Sequence, residues 1–197
     1  MFGLTGIFGI VAGILSFSAY IFYIVAIIKG TTKPSRSTWF IWSFIGIVLA
    51  ISYRASGAED TVWVAVSEAI APTIIALLAI KYGTGGTDKI DIFAFVGSLF
   101  SLILWWLFDS PVVALTTNLA IDFFAAIPTI KKSWHNPKEE DRFAWSLTQT
   151  GNLFNLLAID KIIFGVIIYP VYTFIIDGVI TGILYRKRNF SRQEEIA

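Results

Sequence analysis

The sequence predicts an all-α membrane protein with seven transmembrane helices, arranged as 3+1+3: two parallel triple-helix-bundle repeats joined by one linker helix. Three observations predict this fold class. The 197-residue chain is 56% hydrophobic and 15% charged, whereas soluble domains average about 45–50% and about 25%. Seven continuous apolar stretches approach the length that a bilayer-spanning helix needs. Two of these stretches lead into similar basic, tryptophan-containing segments, which indicates an internal repeat.

Composition excludes several classes of protein. A formal net charge of +1 gives no basic field for nucleic acid, so no nucleic-acid partner is expected. The chain has no cysteine, which excludes disulfides and thiolate metal sites. Its single histidine, His135, makes no metal site alone. We therefore predict neither a metal nor a cofactor.

The apolar stretches define the elements in order. They cover residues 5–28, 38–54, 62–81, 91–108, 111–131, 143–159 and 162–185. Each is predicted to be helical, because lipid does not tolerate irregular or edge-exposed backbone and the alternation of a β-barrel is absent. The first stretch is too long for a cleavable signal peptide and has no basic residue before it, so it is predicted to stay as a membrane span.

Basic residues predict the orientation. Every Lys and Arg except Arg54 and Lys161 lies after spans one, three and five or in the C-terminal segment. The positive-inside rule then places the N-terminus outside and the C-terminus in the cytoplasm. The predicted location is the plasma (inner) membrane, as a multi-pass protein.

The internal repeat predicts the domain organisation. Ala26-Ile27-Ile28-Lys29 ends span one and Pro128-Thr129-Ile130-Lys131 ends span five, and each leads through a basic loop to tryptophan-containing residues, 39–42 and 143–145. Parallel repeats of this kind are a known transporter plan, with the solute site at the midplane. The predicted units are a first three-helix bundle at 1–82, a linker with span four at 83–110, a second bundle at 111–187 and a cytoplasmic tail at 188–197.

One segment carries a family resemblance. Pro128-Thr129-Ile130-Lys131-Lys132-Ser133-Trp134 resembles the Pro-Gln-Ile-x-Lys-Asn-Trp signature of the PQ-loop superfamily. That superfamily includes SWEET and SemiSWEET sugar transporters, lysosomal amino-acid exporters and the KDEL receptor. The signature departs at its Gln, where Thr129 stands, while the predicted topology resembles the family over the whole chain. Lys33-Pro34 and residues 37–42 resemble a bacterial subfamily of these seven-helix proteins. The resemblance implies a hinge role for Pro128 during alternating access.

Three acidic residues inside the spans are candidates for proton or cation coupling. At 1.5 Å per residue, Asp122 and Asp177 lie about 13 Å from the cytoplasmic end, near mid-depth, and Glu68 about 20 Å from it. No Lys or Arg lies in the interior of a span to pair with them. Such a carboxyl group is protonated, binds a cation or faces a water-filled cavity. The alternative is a hydrogen-bonded packing role.

Further polar residues predict a solute site in the second half of the chain. Span five carries an amide and a carboxyl group four residues apart, and span six carries a polar stripe that lipid would reject. Interhelical hydrogen bonding is the alternative reading of these groups. A tryptophan one turn inside span two is a candidate for stacking on a solute. The predicted substrate-binding residues are Asn118, Asp122, Thr148, Asn152, Asn155, Asp177 and Trp42.

Three prolines inside the predicted spans and four tryptophans near span ends have predicted structural roles. Pro72, Pro128 and Pro170 each remove one helical hydrogen bond, so we predict them as hinges, with plain structural kinks as the alternative. Four tryptophans near span ends fit an aromatic belt or packing: Trp39, Trp63, Trp134 and Trp145.

Together these features predict a secondary transporter or facilitator for a small polar metabolite (a sugar, amino acid or vitamin), not an enzyme. The alternative is a membrane-embedded receptor or assembly protein with the same fold. A retinal protein lacks support because no lysine lies in the middle of the last span, and a protease because the only histidine lies in a loop. A carrier of the nicotinamide riboside type stays open beside a sugar carrier. The expected partners are a solute and the lipid bilayer, and a homo-oligomer is compatible.

Overall fold

The computed structural model describes residues 3–86, 89, 92, 96, 103, 106–108 and 110–186. Over these residues it has a short 3-10 turn, Pro137–Glu139, and six α-helices: α1 (Leu4–Ile28), α2 (Arg36–Ala55), α3 (Val62–Tyr82), α4 (Pro111–His135), α5 (Arg142–Leu157) and α6 (Phe164–Tyr185). The last three correspond to predicted spans five, six and seven. Predicted span four, apart from isolated positions, and the tail at 188–197 lie outside the described residues.

Length and surface character identify the solvent of these helices as lipid. Five of the described helices, all except α5, are long and apolar enough to cross a membrane. Large apolar side chains face outwards on consecutive helices, as at Phe17, Phe44 and Leu77. Continuous apolar surface of this extent is rare on soluble monomers. The chain is therefore a multi-pass α-helical membrane protein.

One helix end differs clearly from the prediction. The sequence predicted the end of span five at Lys131, but α4 continues to His135. Pro128 does not end the helix, because a proline inside a helix removes one hydrogen bond without stopping the chain from continuing. Positive charge in the last turn also suits the C-terminal end of a helix dipole. At the start of α5, Asp141 caps the helix by accepting a hydrogen bond from the Ala144 backbone N–H at 2.6 Å.

The described helices pack into a ring. Helix α3 lies against both α1 and α2, and α6 lies against both α4 and α5, while α1 contacts α5 and α2 contacts α4. Glycine permits the close approach of α1 to the start of α3. A Cβ atom at Gly9 would lie 1.7 Å from the Asp60 carbonyl oxygen, and one at Gly13 would lie 2.6 Å from the Trp63 Cβ.

The ring has two distinct ends. We call one the basic end; it holds residues 29–35, 83–86 and 136–141. At this end the Lys33 backbone N–H donates a hydrogen bond to the Glu139 carbonyl at 3.0 Å. We call the other the opposite end; it holds residues 56–61 and 158–163. At the opposite end the Lys161 Nζ lies 2.6 Å from a carboxylate oxygen of Glu59. Contacts at both ends therefore join the first half of the chain to the second.

Two apolar clusters fill the interior of the ring at different levels. The opposite-end cluster comprises Ala12, Leu49, Tyr53, Ala58, Val64, Ala65, Leu115, Leu119 and Tyr169. The basic-end cluster comprises Tyr23, Ile27, Trp39, Ile75, Ala76, Ala144, Trp145, Ile180 and Leu184. Between these two levels a smaller cluster, Ile41, Ile45, Ile121 and Ala125, packs α2 against α4. The rest of the middle level is left for other side chains.

The ion pair at the opposite end gives a prediction about titration. The hydrogen bond and the charge of Lys161 lower the pKa of Glu59, and the same contact raises the pKa of Lys161. We expect Lys161→Met to move the Glu59 pKa up towards its ordinary value, as measured by carboxyl carbon NMR titration in detergent micelles. The matched change Lys138→Met, at the basic end, is expected to leave it alone. An identical Glu59 titration in Lys161→Met would contradict the contact.

Candidate functional site

A cavity lies at the middle level of the ring, between the two apolar clusters. Side chains from all six described helices line it, and it encloses about 570 Å³ of space free of protein atoms, its opening included. Along α3, for example, Val64 belongs to the opposite-end cluster, Glu68 and Pro72 line the cavity, and Ile75 belongs to the basic-end cluster. The cavity therefore has a packed layer on each side.

All three acidic residues predicted from the sequence line this one cavity. Glu68 comes from α3, Asp122 from α4 and Asp177 from α6. Asp122 accepts a hydrogen bond from the Tyr172 hydroxyl at 2.6 Å, and Asp177 accepts one from the Asn152 Nδ2 at 2.8 Å. Both donors are neutral. Among the lining residues that the structure describes there is no Lys, Arg or His.

Aromatic side chains form much of the remaining wall. Six of them line the cavity: Tyr20, Tyr23, Trp39, Trp42, Trp145 and Tyr172. Trp39 and Trp42 meet at 90°, with ring centroids 5.0 Å apart, and Tyr20 meets Trp39 at 77°. The predicted stacking residue, Trp42, therefore does face the cavity.

The predicted amides do not all reach the cavity. Thr148 lines it, and Asn152 stands behind Asp177 as its hydrogen-bond donor. Asn118 and Asn155 do not line it; both are fully buried, and none of their side-chain amide atoms has a partner among the described residues. The Asp122–Tyr172 and Asn152–Asp177 hydrogen bonds place these four residues at the level of the cavity. Asn118 lies about one helical turn before Asp122, and Asn155 lies about one turn after Asn152. Both amides are therefore about one turn nearer the opposite end than the cavity is.

The buried hydroxyl group of Tyr169 has no hydrogen-bond partner in the described residues either. Tyr169 precedes Tyr172 on α6 by almost one turn, which brings it to the level of Asn118 and Asn155. We call these three residues the amide layer. It lies within the packing that separates the cavity from the opposite end, and the two amides predicted to bind the substrate are not among the residues that line the cavity.

The three predicted hinge prolines lie inside helices and end none of them. Pro72 lines the cavity. Pro170 has no N–H to donate to the Val166 carbonyl, and that carbonyl instead accepts from the Tyr53 hydroxyl at 2.8 Å. Pro128 is buried in α4, just before Thr129, whose hydroxyl donates to the Thr38 hydroxyl of α2 at 2.9 Å. Pro128 and Pro170 thus lie next to hydrogen bonds between helices, and Pro72 lies at the cavity.

Sequence reasoning missed Glu140, which closes the basic end below the cavity. Its side chain is fully buried and pairs with the Lys132 ammonium group. It also accepts hydrogen bonds from the Tyr23 hydroxyl at 2.8 Å and from the Trp145 Nε1 at 2.9 Å. The Lys132 ammonium group in turn donates to the Lys33 carbonyl. The available signal was the acidic run at 139–141 in an otherwise basic connection.

The tryptophans separate into two groups. Trp63 and Trp134 are 44% and 54% exposed, which suits an interfacial belt. Trp39 and Trp145 are 2% and 5% exposed and line the cavity. These two tryptophans therefore pack inside the protein and do not belong to an interfacial aromatic belt. A position near the end of a span is compatible with either role, since the face of the helix decides between them.

Comparisons of this chain with protein-family models, curated proteins and solved structures find no match. The chemistry of the cavity and of the layers around it is therefore the basis for a functional conclusion.

Proposed function

We propose that the protein is a secondary transporter or facilitator that moves a small polar metabolite across the membrane by alternating access. The observation that carries this proposal is the position of the cavity, lined by every described helix and separated from each end by a buried layer. Alternating access requires such a site, closed on two sides by contacts that can open in turn. An interior cavity also favours a solute over the protein ligand of a receptor.

The packing order supports the 3+1+3 plan with seven spans. Exchanging α1 with α4, α2 with α5 and α3 with α6 converts each pair of packed helices into another packed pair. The α1–α5 contact, for instance, becomes the α4–α2 contact. The cavity wall repeats this relation, because Trp39 and Trp42 on α2 have the spacing of Trp145 and Thr148 on α5. The segment 91–108 would then be the linker helix between two parallel repeats.

The same plan agrees with the PQ-loop resemblance. Thr129, at the Gln position of that signature, joins α4 to α2 through its hydrogen bond to Thr38. We assign the basic end to the cytoplasm of the plasma (inner) membrane by the positive-inside rule, with the N-terminus outside. With this assignment, Glu140 and its partners Lys132, Tyr23 and Trp145 close the cytoplasmic side of the cavity. The amide layer helps to close the external side.

Each closure suggests how it opens. Opening the basic end separates Glu140 from at least one of Lys132, Tyr23 and Trp145, which belong to three different helices. Opening the opposite end brings water to the unpartnered amides of the amide layer, which satisfies polar groups that the closed form leaves without hydrogen bonds. Pro72, Pro128 and Pro170 supply points at which the helices bend. A proton or cation on Glu68, Asp122 or Asp177 couples the two movements.

The test starts with the full chain in detergent and a panel of sugars, amino acids and vitamins at pH 5.5 and pH 7.5. A solute that binds the folded form raises the unfolding midpoint by mass action. Uptake of that solute is then measured in proteoliposomes. We expect Asp122→Asn and Asp177→Asn to lower uptake at least tenfold or to alter its pH dependence.

Glu59→Gln is the matched control, because it removes a carboxylate of the same kind at the opposite end, outside the cavity. Uptake by this variant is expected to stay within twofold of the parent. Unchanged uptake and pH dependence in both aspartate variants would contradict the assigned site, and a panel without any stabilising solute would contradict the transport function.

A further inference from the structure

We propose that the solute held in this cavity is a small organic cation, bound by carboxylates and by aromatic ring faces. The inference rests on the proposed transport function and names the substrate class of the same cavity. Three properties of the cavity carry it: the sign of its charged groups, its aromatic walls and the origin of its carboxyl groups on three helices.

The charged groups of the wall all have one sign. Glu68, Asp122 and Asp177 face the cavity, and no described lining residue is basic. An anionic solute would find no partner for its charge, and a zwitterionic amino acid would leave its own carboxylate unpaired. A neutral sugar would bring no positive charge to these carboxyl groups. A cation compensates them, and burying a charge is tolerated when it is paired.

The aromatic rings of the cavity wall offer faces to which a cation is attracted. Trp39 and Trp42 are perpendicular at a centroid distance of 5.0 Å, and Tyr23 and Trp145 meet at 87°. In each edge-to-face pair the edge of one ring contacts the face of the other, and each ring keeps a face that its partner does not cover. A cation within about 6 Å of a ring face is attracted by its quadrupole, and aromatic cages recognise quaternary ammonium groups in this way.

The carboxyl groups of the cavity come from different helices and are not gathered into one cluster in the described part of the chain. The described part of the chain contains no group of three His, Cys, Asp or Glu side chains that could hold a metal together. The three acids nevertheless line one cavity from three helices, α3, α4 and α6. An organic cation in the cavity meets carboxyl groups on more than one helix, and its apolar part meets the aromatic rings of the wall.

The experiment compares charged probes with neutral ones of the same shape. Choline, tetramethylammonium, N-methylpyridinium and agmatine are added to the full-length protein in detergent, with sodium chloride at equal ionic strength as the reference. The neutral isostere of choline, 3,3-dimethyl-1-butanol, is tested beside glucose and glutamate. We expect at least one cation to raise the unfolding midpoint saturably, and a choline response to exceed that of the isostere at least tenfold in apparent affinity.

Variants locate the binding in the cavity. Asp122→Asn and Trp42→Leu are expected to weaken binding of the stabilising cation at least tenfold. Trp42→Phe keeps an aromatic face and is expected to retain most of the affinity, which separates a lost ring from a damaged fold. Glu59→Gln, a carboxylate change at the opposite end, is expected to leave the affinity within twofold.

The outcomes separate this inference from the transport proposal. Stabilisation by glucose or another neutral solute, with every cation inactive, would overturn the cation inference and leave transport standing. Binding of a cation that all four variants retain would also overturn it, since the site would lie elsewhere. A complete absence of stabilisation by charged and neutral probes alike would count against both proposals.

Discussion

Replacing Glu140 by alanine is expected to lower the free energy of unfolding by about 3–5 kcal/mol, the cost of breaking a buried ion pair from one side. The Glu140 side chain is fully buried, and that of Lys132 is only 10% exposed. Without the carboxylate, the Lys132 ammonium group loses its only negatively charged contact in the described structure. The Tyr23 hydroxyl and the Trp145 Nε1 lose their acceptor in the same step.

Denaturant-induced unfolding in detergent micelles measures this effect, and the neighbouring residue provides the control. Glu139 pairs with Lys33 at 2.8 Å, but these side chains are 26% and 50% exposed. Glu139→Ala is therefore expected to cost no more than about 1 kcal/mol, as is usual for exposed pairs. A Glu140→Ala variant no less stable than Glu139→Ala would contradict the role assigned to the buried pair.

A double substitution tests the electrostatic origin of the effect. Glu140→Gln with Lys132→Gln removes both charges and keeps polar side chains of similar size. We expect this pair to lose less stability than the sum of its single changes, because neither charge is left buried alone. Additive losses would indicate that packing, and not charge, dominates the cluster.

The helices were largely predictable because their ends coincide with changes in composition. The predicted stretch 62–81 and the observed helix Val62–Tyr82 differ by one residue, since Gly83 and the polar residues after it end the apolar run. The end of α4 was not predictable by the same rule. Lys131 and Lys132 read as the start of a loop, but their long side chains let the helix continue while the charges lie at its surface or, for Lys132, against Glu140.

The candidate site was predictable residue by residue but not as an arrangement. A carboxyl group within an apolar stretch is conspicuous, which is why Glu68, Asp122 and Asp177 could be selected from the sequence alone. Whether an amide on the same helix reaches the cavity depends on the level at which its helix packs. Asn118 and Asn155 lie about one turn from the level of the cavity, and sequence spacing contains no information on that offset.

Glu140 was missed for a different reason. A charged residue in a connection is ordinarily solvated, and only the tertiary structure brings Tyr23 of α1 and Lys132 of α4 around the carboxylate of Glu140. The same limit applies to Trp39 and Trp145. Their positions near span ends fit an aromatic belt, but the faces of α2 and α5 that carry them turn towards the cavity.

The single substitution Gly46→Ala is expected both to destabilise the protein and to displace Glu68, which lines the cavity. A Cβ atom at Gly46 would lie 2.1 Å from the Glu68 carbonyl oxygen and 3.3 Å from the Ala69 Cα. Both obstacles belong to the backbone of a helix, so no side-chain rotation relieves them. The Glu68 carbonyl is the one to which Pro72 cannot donate, because proline has no N–H. Close approach of α2 to α3 at this point therefore depends on the glycine.

An alanine at position 46 must push α3 away from α2, which we expect to cost about 1–3 kcal/mol of the free energy of unfolding, as for other overpacked sites. Gly182→Ala is the matched control, since nothing lies within 4 Å of its Cβ position. That change is expected to stabilise α6 by about 0.5–1 kcal/mol through the loss of glycine's conformational freedom. Unfolding of both variants in the same detergent measures the difference.

The displaced Glu68 gives a second measurement for the same variant. Because its side chain lines the cavity, a shift of α3 is expected to weaken binding of any stabilising solute in Gly46→Ala but not in Gly182→Ala. Equal stability of the two variants would show that α2 and α3 do not approach as closely as the structure has them. A loss of stability with unchanged solute affinity would separate the helix contact from the site, and would remove Glu68 from the set of residues that hold the solute.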